Sequence, residues 1–233
     1  MKKITFAFVL SLGSASLAAA AERPAQDIVH WTPTTWAEAQ RDMPKGNAAA
    51  GKKLHSTMFC ASCHGAKGES ATNNWPSLAG QSIAYTYKQL LDYKSQVRNE
   101  DDRAHIMVVV AQMLSKQDMT DLAAFYADQT QPCPKGLPKP APSLVTVGDP
   151  KRLITPCAAC HGARGQGGVN ETTALRGITR DYFIRTMEMF REGHRTNDTS
   201  KGMSQFAKPL TDQEIALLAD YYACTPPEKA VTE

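Results

Sequence analysis

The sequence lacks the features that define several large classes of protein. Six cysteines in 233 residues are too few for a dense disulfide scaffold, although they suffice for two metal or cofactor sites. Basic residues exceed acidic ones by only three, and no basic stripe is present, so no nucleic-acid partner is expected. No useful alternation of apolar and polar residues predicts a strand. Beyond the N-terminal segment, no apolar run is long enough to span a bilayer.

The N-terminal segment has the pattern of a cleavable export signal. Two lysines precede an apolar run from Ile4 to Leu12, and small residues follow as far as Ala21. A membrane anchor needs about 20 apolar residues, and this run is shorter. We therefore expect residues 1–21 to be a signal peptide and the mature protein to lie in the periplasm, an oxidising compartment.

An internal duplication organises the rest of the chain. The segment CASCHGAKG at residues 60–68 recurs as CAACHGARG at residues 157–165, a shift of 97. Further matches follow in the same order, at a shift of 97 and then, after a one-residue deletion, of 96. The sequence thus predicts two related domains, at residues 46–131 and 148–226. Around them lie an N-terminal extension, a proline-rich linker and a C-terminal tail, at residues 22–45, 132–147 and 227–233.

Both halves have helical patterns. Apolar residues recur at helical spacing behind the candidate N-caps Ser115 and Thr211, and Thr211 forms a capping box with Glu214. The sequence therefore predicts an all-α protein. Four further helices are predicted, at residues 48–59, 83–97, 151–155 and 182–192.

The repeated Cys-x-x-Cys-His motif is the attachment site of c-type haem. Two thiols on one local turn add to the haem vinyl groups, and the histidine that follows reaches the iron. A zinc ribbon needs its second cysteine pair about 15–20 residues on, whereas 93 residues separate Cys63 from Cys157. A thioredoxin-like motif needs a βαβ context that is absent. We predict two covalently bound haem c groups. The attachment and proximal residues are Cys60, Cys63 and His64 in the first half and Cys157, Cys160 and His161 in the second.

The sixth ligand of each iron should recur at the repeat shift. Met107 and Met203 are 96 residues apart and share a local pattern, whereas Met113 and His105 lack counterparts of the same type. Met107 and Met203 are therefore the predicted axial ligands. Thioether ligation favours ferrous iron and suits electron transfer. It also fills the coordination sphere, so no catalytic residue is predicted.

With these residues, the chain resembles the diheme cytochrome c4 family over about residues 46–226. The segment WPSLAGQ at residues 75–81 is similar to the family loop whose proline carbonyl accepts a hydrogen bond from the ligand histidine. In the second half, Thr173 and Ile178 take the places of the proline and the glutamine. The resemblance implies two tandem class I cytochrome c domains.

The resemblance also implies a role. Family members shuttle electrons in the periplasm towards terminal oxidases, so redox proteins are the expected partners: a dehydrogenase or bc1-type complex as donor and an oxidase as acceptor. Peripheral association of the mature protein with a membrane is compatible with this role. Similar diheme proteins are electron-accepting subunits of dehydrogenases, which is the alternative. A third reading, a diheme peroxidase or a thiosulfate-oxidising cytochrome, would need one iron with an open position.

Two cysteines lie outside the haem motifs. Cys133 and Cys224 each follow the last helix of their half, and in an oxidising compartment leftover thiols more often pair than stay free. We expect a disulfide between the two halves, with separate thiols and pairing to another molecule as alternatives.

The N-terminal extension holds Trp31 and Trp36. They fit a strap that packs on its own domain or a docking element for a partner, and the strap is the simpler expectation.

Overall fold

The structure, a computed structural model, describes residues 31–133, 136–168 and 171–224. The predicted signal peptide and the C-terminal tail lie outside the described residues. Within these ranges the chain is helical, and its one β-type pairing is an isolated bridge between Asp149 and Ile154. The predicted all-α fold is confirmed. No helix in the described ranges is long and apolar enough to cross a membrane.

The described part of the first half contains six helices, four of which pack against one another. Its helices are α1 (Pro33–Arg41), α2 (Ala48–Thr57), α3 (Ala61–His64), α4 (Ile83–Lys94), α5 (Asp102–Gln112) and α6 (Lys116–Ala127). Helix α6 packs against α2 and α4, and α4 packs against α5. The α2–α6 contact requires Gly51, because a Cβ atom there would lie 1.9 Å from the carbonyl oxygen of Asp121.

Two predicted helices end earlier than the sequence pattern suggests. Helix α2 ends at Thr57 and α4 at Lys94, before Phe59 and Gln96 with their left-handed backbone. The helix N-terminus predicted at Ser115 is correct, since its hydroxyl accepts from the amide of Asp118 in a capping box.

The second half repeats this plan, and some of its elements are shorter. It contains α7 (Ser143–Thr146), α8 (Cys157–His161), α9 (Arg180–Glu192), α10 (Gly202–Ala207) and α11 (Asp212–Tyr222), with 3-10 turns at Pro150–Arg152 and Thr199–Lys201. Helix α9 packs against α10 and α11. The capping box predicted for Thr211 and Glu214 opens α11.

The helix predicted at residues 151–155 is wrong. A 3-10 turn at Pro150–Arg152 stands there instead, and Leu153 adopts a left-handed backbone. The bridge between Asp149 and Ile154 closes this turn. Pro156 then disfavours helical geometry at the residue before it, so no helix can run into the second cysteine motif.

The segments outside the two repeats pack onto them. Leu144 and Val145, placed in the linker from the sequence, are buried in the core of the second half. Trp36 of α1 is buried in the core of the first half. The Trp31 indole donates to Asp92 of α4, and its carbonyl accepts from Ser200 of the second half. The described part of the extension is a strap across both halves.

Candidate haem sites

Each half contains one cavity lined by its own predicted site residues. The first cavity, of about 290 Å³, is bordered by Cys60, Cys63, His64 and Met107. The second, of about 270 Å³, is bordered by Cys157, Cys160, His161 and Met203. The structure thus gathers all eight residues into two equivalent groups of four.

Both histidines are oriented by a backbone carbonyl. His64 Nδ1 lies 3.0 Å from the carbonyl oxygen of Pro76, and His161 Nδ1 lies 2.9 Å from that of Thr173. Because a carbonyl only accepts, Nδ1 carries the proton and Nε2 keeps its lone pair for a metal. Burial lowers the pKa of both imidazoles, which also favours the neutral form. Thr173 therefore replaces proline without loss of the hydrogen bond.

The four motif cysteines lie on single helical turns and form no disulfide. Cys60 caps α3, which contains Cys63, and both Cys157 and Cys160 lie in α8. Burial raises the pKa of Cys60 and Cys157. Among the described residues, no group of three or more His, Cys, Asp or Glu side chains converges as a metal site. The zinc alternative therefore has no ligand set there.

The methionines differ in exposure and surroundings. Met107 lies in the middle of α5 and Met203 at the start of α10, each on its cavity wall. Met113 is 66% exposed and borders neither cavity. Met58 also borders the first cavity, so burial alone does not select the ligand. The repeat shift favours Met107 and Met203, and their role as ligands stays a prediction.

Comparisons with known proteins identify the family. The model of the cytochrome c family matches residues 48–128 and 150–223. Cytochrome c4 of Thiocapsa roseopersicina is 38% identical over 183 residues, which cover 76% of this chain and 91% of that protein. The chain belongs to the cytochrome c4 family.

Two further similarities extend this assignment. The crystal structure of reduced recombinant cytochrome c4 from Pseudomonas stutzeri superposes with a TM-score of 0.68 at 30% identity, covering 77% of this chain and 98% of that one. A protein of Stutzerimonas stutzeri named thiosulfate dehydrogenase electron acceptor is 31% identical over 211 residues, covering 84% of this chain and 94% of that protein. As a diheme cytochrome, the chain carries two covalently bound haem c groups.

The residues present fit the haem of a cytochrome c4. Each cavity offers two thiols, a thioether and an imidazole Nε2 that has no hydrogen-bond partner in the described ranges. The remaining walls are mostly apolar side chains, such as Leu122 in the first cavity and Leu218 in the second. Such walls suit a porphyrin face and exclude water from the iron.

The cytochrome c4 halves share an interface that the sequence patterns did not reveal. The amide of Gln81 donates to the carbonyl of Ala174 at 2.8 Å and accepts from its N–H at 2.9 Å. Ala174 follows Thr173, whose carbonyl orients His161. Tyr182 borders both cavities and accepts from Arg98 at 2.9 Å. Applying the repeat shift to charged residues would have found Arg98, whose counterpart is Arg195.

A disulfide also joins the two halves. The structure links Cys133 to Cys224, which is the pairing expected from the sequence. Next to it, Arg176 of the second half donates to the Gln131 side chain at 2.8 Å. Covalent and polar contacts therefore hold the two haem cavities side by side.

Proposed function

We propose that the protein is a periplasmic carrier of single electrons whose two irons are both six-coordinate. His64 and Met107 would hold the iron of the first haem, and His161 and Met203 that of the second. The observation that carries the proposal is the pairing of an oriented imidazole and a methionine in each of two equivalent cavities. With a histidine and a methionine on each iron, neither iron would offer a site for substrate, which disfavours the peroxidase and thiosulfate-oxidising enzymes.

Haem iron supplies the one-electron couple, and thioether ligation favours its ferrous state. The protein holds the ligands in a fixed orientation and keeps water away from the iron. The carbonyls of Pro76 and Thr173 hold the two imidazoles, so their orientation need not change with oxidation state. Apolar walls limit the solvent that must reorganise when charge moves.

Electrons would pass from one half to the other. The two haem cavities share wall residues, among them Tyr85, Gln89, Tyr182 and Thr186. An electron would enter from a donor such as a dehydrogenase or a bc1-type complex, cross this shared wall and leave towards a terminal oxidase.

The ligands can be tested by single substitutions. In ferric holoprotein, Met107→Ala and Met203→Ala should each abolish one of two Met–iron charge-transfer bands. Met113→Ala is the matched control and should keep both. If Met113→Ala removes a band while Met107→Ala removes none, the ligand assignment for the first haem is wrong.

Export can be tested on the protein purified from the periplasm. Denaturing mass spectrometry should give the mass of residues 22–233 plus two haems. A retained N-terminal segment or a cytoplasmic holoprotein would contradict the proposed location.

A dehydrogenase-linked role is the second candidate. It is supported by the 31% identity to the relative named thiosulfate dehydrogenase electron acceptor. With purified thiosulfate dehydrogenase and thiosulfate, both haems should then be reduced within the enzyme's turnover time. Reduction by a bc1-type complex but not by this enzyme would favour the general carrier.

A further inference from the structure

Two arginines related by the repeat meet between the cavities. Arg98 borders the first cavity only and Arg195, 97 residues later, the second only. Both side chains are buried, and both donate to Oε1 of Gln89, at 2.7 and 3.1 Å. Each half therefore fixes one cation beside its own haem cavity.

The residue two positions after each arginine differs in charge. Arg98 pairs with Glu100, whose Oε1 lies 3.1 Å from Arg98 Nε. Arg195 Nε instead donates to the amide oxygen of Asn197 at 2.8 Å. Glu100 and Asn197 are also 97 residues apart, and each borders only the cavity of its own half. The same geometry thus holds a carboxylate in one half and a neutral amide in the other.

Glu100 is a buried and ionised carboxylate. Its side chain is 6% exposed, and its Oε2 has no hydrogen-bond partner in the described ranges. Burial raises the pKa of Glu100, but Arg98 and Arg195 outweigh this effect and hold it below the ordinary value. A full negative charge therefore stands at the first cavity.

Other buried charges near the interface cancel. Lys88 and Asp92 are 2.7 Å apart and almost fully buried. No carboxylate in the described part of the chain lies within 4 Å of Arg195. Among the buried side chains of the described ranges, a carboxylate therefore lies beside Arg98 at the first cavity, and a neutral amide takes the equivalent place beside Arg195 at the second.

More exposed charges also border the cavities. They are Asp101, Arg103 and Arg185 at the first cavity and Glu171 and Asp198 at the second. Arg185 pairs with Asp101 at 3.1 Å. Water screens these groups more strongly than it screens Glu100.

We propose that the difference between Glu100 and Asn197 sets the order of the two reduction potentials. The inference rests on the proposed function. A ferric haem carries one more positive charge than a ferrous haem, so the Glu100 carboxylate favours the oxidised state of the first haem. Arg195 favours the reduced state of the second. A single electron then leaves the first iron, which is oxidised, and reduces the second iron, with no proton transferred.

Charge-removing and charge-keeping variants of the holoprotein test this inference by redox titration. The haems are distinguished by their ferric methyl resonances, assigned with Met107→Ala. At the wild-type midpoint of the first haem, Glu100→Gln should raise its reduced-to-oxidised ratio about tenfold, equivalent to ~59 mV for one electron. At the midpoint of the second haem, Arg195→Gln should lower that ratio by a similar factor. Both variants should therefore reduce the difference between the reduction potentials of the two haems.

Control variants distinguish the effect of a side chain's charge on the potentials from the effect of a change in structure. Glu100→Asp and Arg195→Lys keep the charge and should keep this difference in potential, even where the melting temperature falls. Asp102→Asn, at an exposed acid of α5, should change neither potential. Asn197→Asp is unsuitable, because the Asn197 amide lies 2.6 Å from the Asp92 carboxylate.

The outcomes distinguish this inference from the proposed function. If both charge-removing variants keep both Met–iron bands and the wild-type potentials, the inference is overturned and the carrier function stands. A second haem that is harder to reduce than the first in the native protein would also overturn it. If the native protein lacks the Met–iron bands, the proposed function itself fails.

Discussion

The two halves surround equivalent cavities with different amounts of helix. In the first half, the cysteine motif follows a ten-residue helix, and Met107 lies in an eleven-residue helix. In the second, the motif follows a 3-10 turn, and Met203 lies in a six-residue helix. Yet both histidines are held by a carbonyl twelve residues later. The orientation of each histidine therefore depends on the Cys-x-x-Cys-His motif and on the loop that supplies the carbonyl, rather than on the length of the neighbouring helices.

A second difference concerns the residues that support each motif. His55 is buried and bonded to the Tyr126 hydroxyl and the Gly65 carbonyl, at 2.9 and 3.0 Å. One repeat later stands Arg152, which pairs with Asp149 and Glu214, each at 2.6 Å. At this repeat position, the first half thus has the buried imidazole of His55, and the second half has the partly exposed ion pairs of Arg152. We therefore expect the stability of the second half to depend more strongly on pH than that of the first half.

The largest expected effect comes from removal of one haem. Replacing Cys60 and Cys63 with alanine, or Cys157 and Cys160, should each leave one covalent haem, as measured by denaturing mass spectrometry. The second-half variant should melt at the lower temperature, because a 3-10 turn and a six-residue helix stand there in place of the ten- and eleven-residue helices of the first half. Two retained haems would contradict the attachment sites, and a lower melting temperature for the first-half variant would reverse the comparison.

Loss of the disulfide should be the next largest effect. The double variant Cys133→Ser/Cys224→Ser opens a link between residues 91 positions apart. The free energy of unfolding of the holoprotein should fall by about 2–4 kcal/mol in a denaturant titration. Wild-type protein with reductant should behave like the variant. Alkylation of both thiols in native, unreduced protein would show that the link is absent.

Gln81 offers a test of how one half supports the other. Gln81→Ala removes two hydrogen bonds to Ala174 beside the loop that orients His161. We expect a loss of about 1–3 kcal/mol of unfolding free energy and a change in the ferric signals of the second haem only. Gln112→Ala, at an exposed glutamine of α5, is the control. Equal changes at both haems would show that Gln81 does not act through the second loop.

The smallest effect should be a pH dependence confined to the second half. A hydrogen bond from Arg152 lowers the pKa of Glu214 to about 2 from its ordinary 4.5. Its contribution is therefore present above pH 4.5 and is lost as the pH falls through about 2. Glu214→Gln should lower stability at pH 6, and the difference from wild type should shrink towards pH 2. A difference that is constant from pH 6 to pH 2 would exclude the ion pair as its source.

The site residues could be predicted from the sequence because their chemistry depends on short spacing and on the duplication. The repeat shift predicts Met107 and Met203 rather than Met113 as ligands, and each borders the same cavity as the histidine of its own half. Caps at Ser115 and Thr211 were also predictable, because capping is a local interaction.

The remaining features depend on contacts that local patterns do not encode. The turn at Pro150–Arg152 replaces a helix because of a backbone bridge and a following proline. The contacts of Gln81 with Ala174 and of Trp31 with Asp92 join residues distant in sequence. Glu100 and Asn197 occupy equivalent positions of the repeat but are not identical residues, so the matches that define the duplication do not include them.

Binding of carbon monoxide to the reduced native protein tests the central claim most directly. If His64 with Met107 and His161 with Met203 fill both irons, carbon monoxide must displace a thioether. Binding at neutral pH should then be slow and well below one molecule per haem, while a small redox protein still exchanges electrons rapidly. Rapid, stoichiometric binding at either haem would show an open iron and contradict the account of a closed electron carrier.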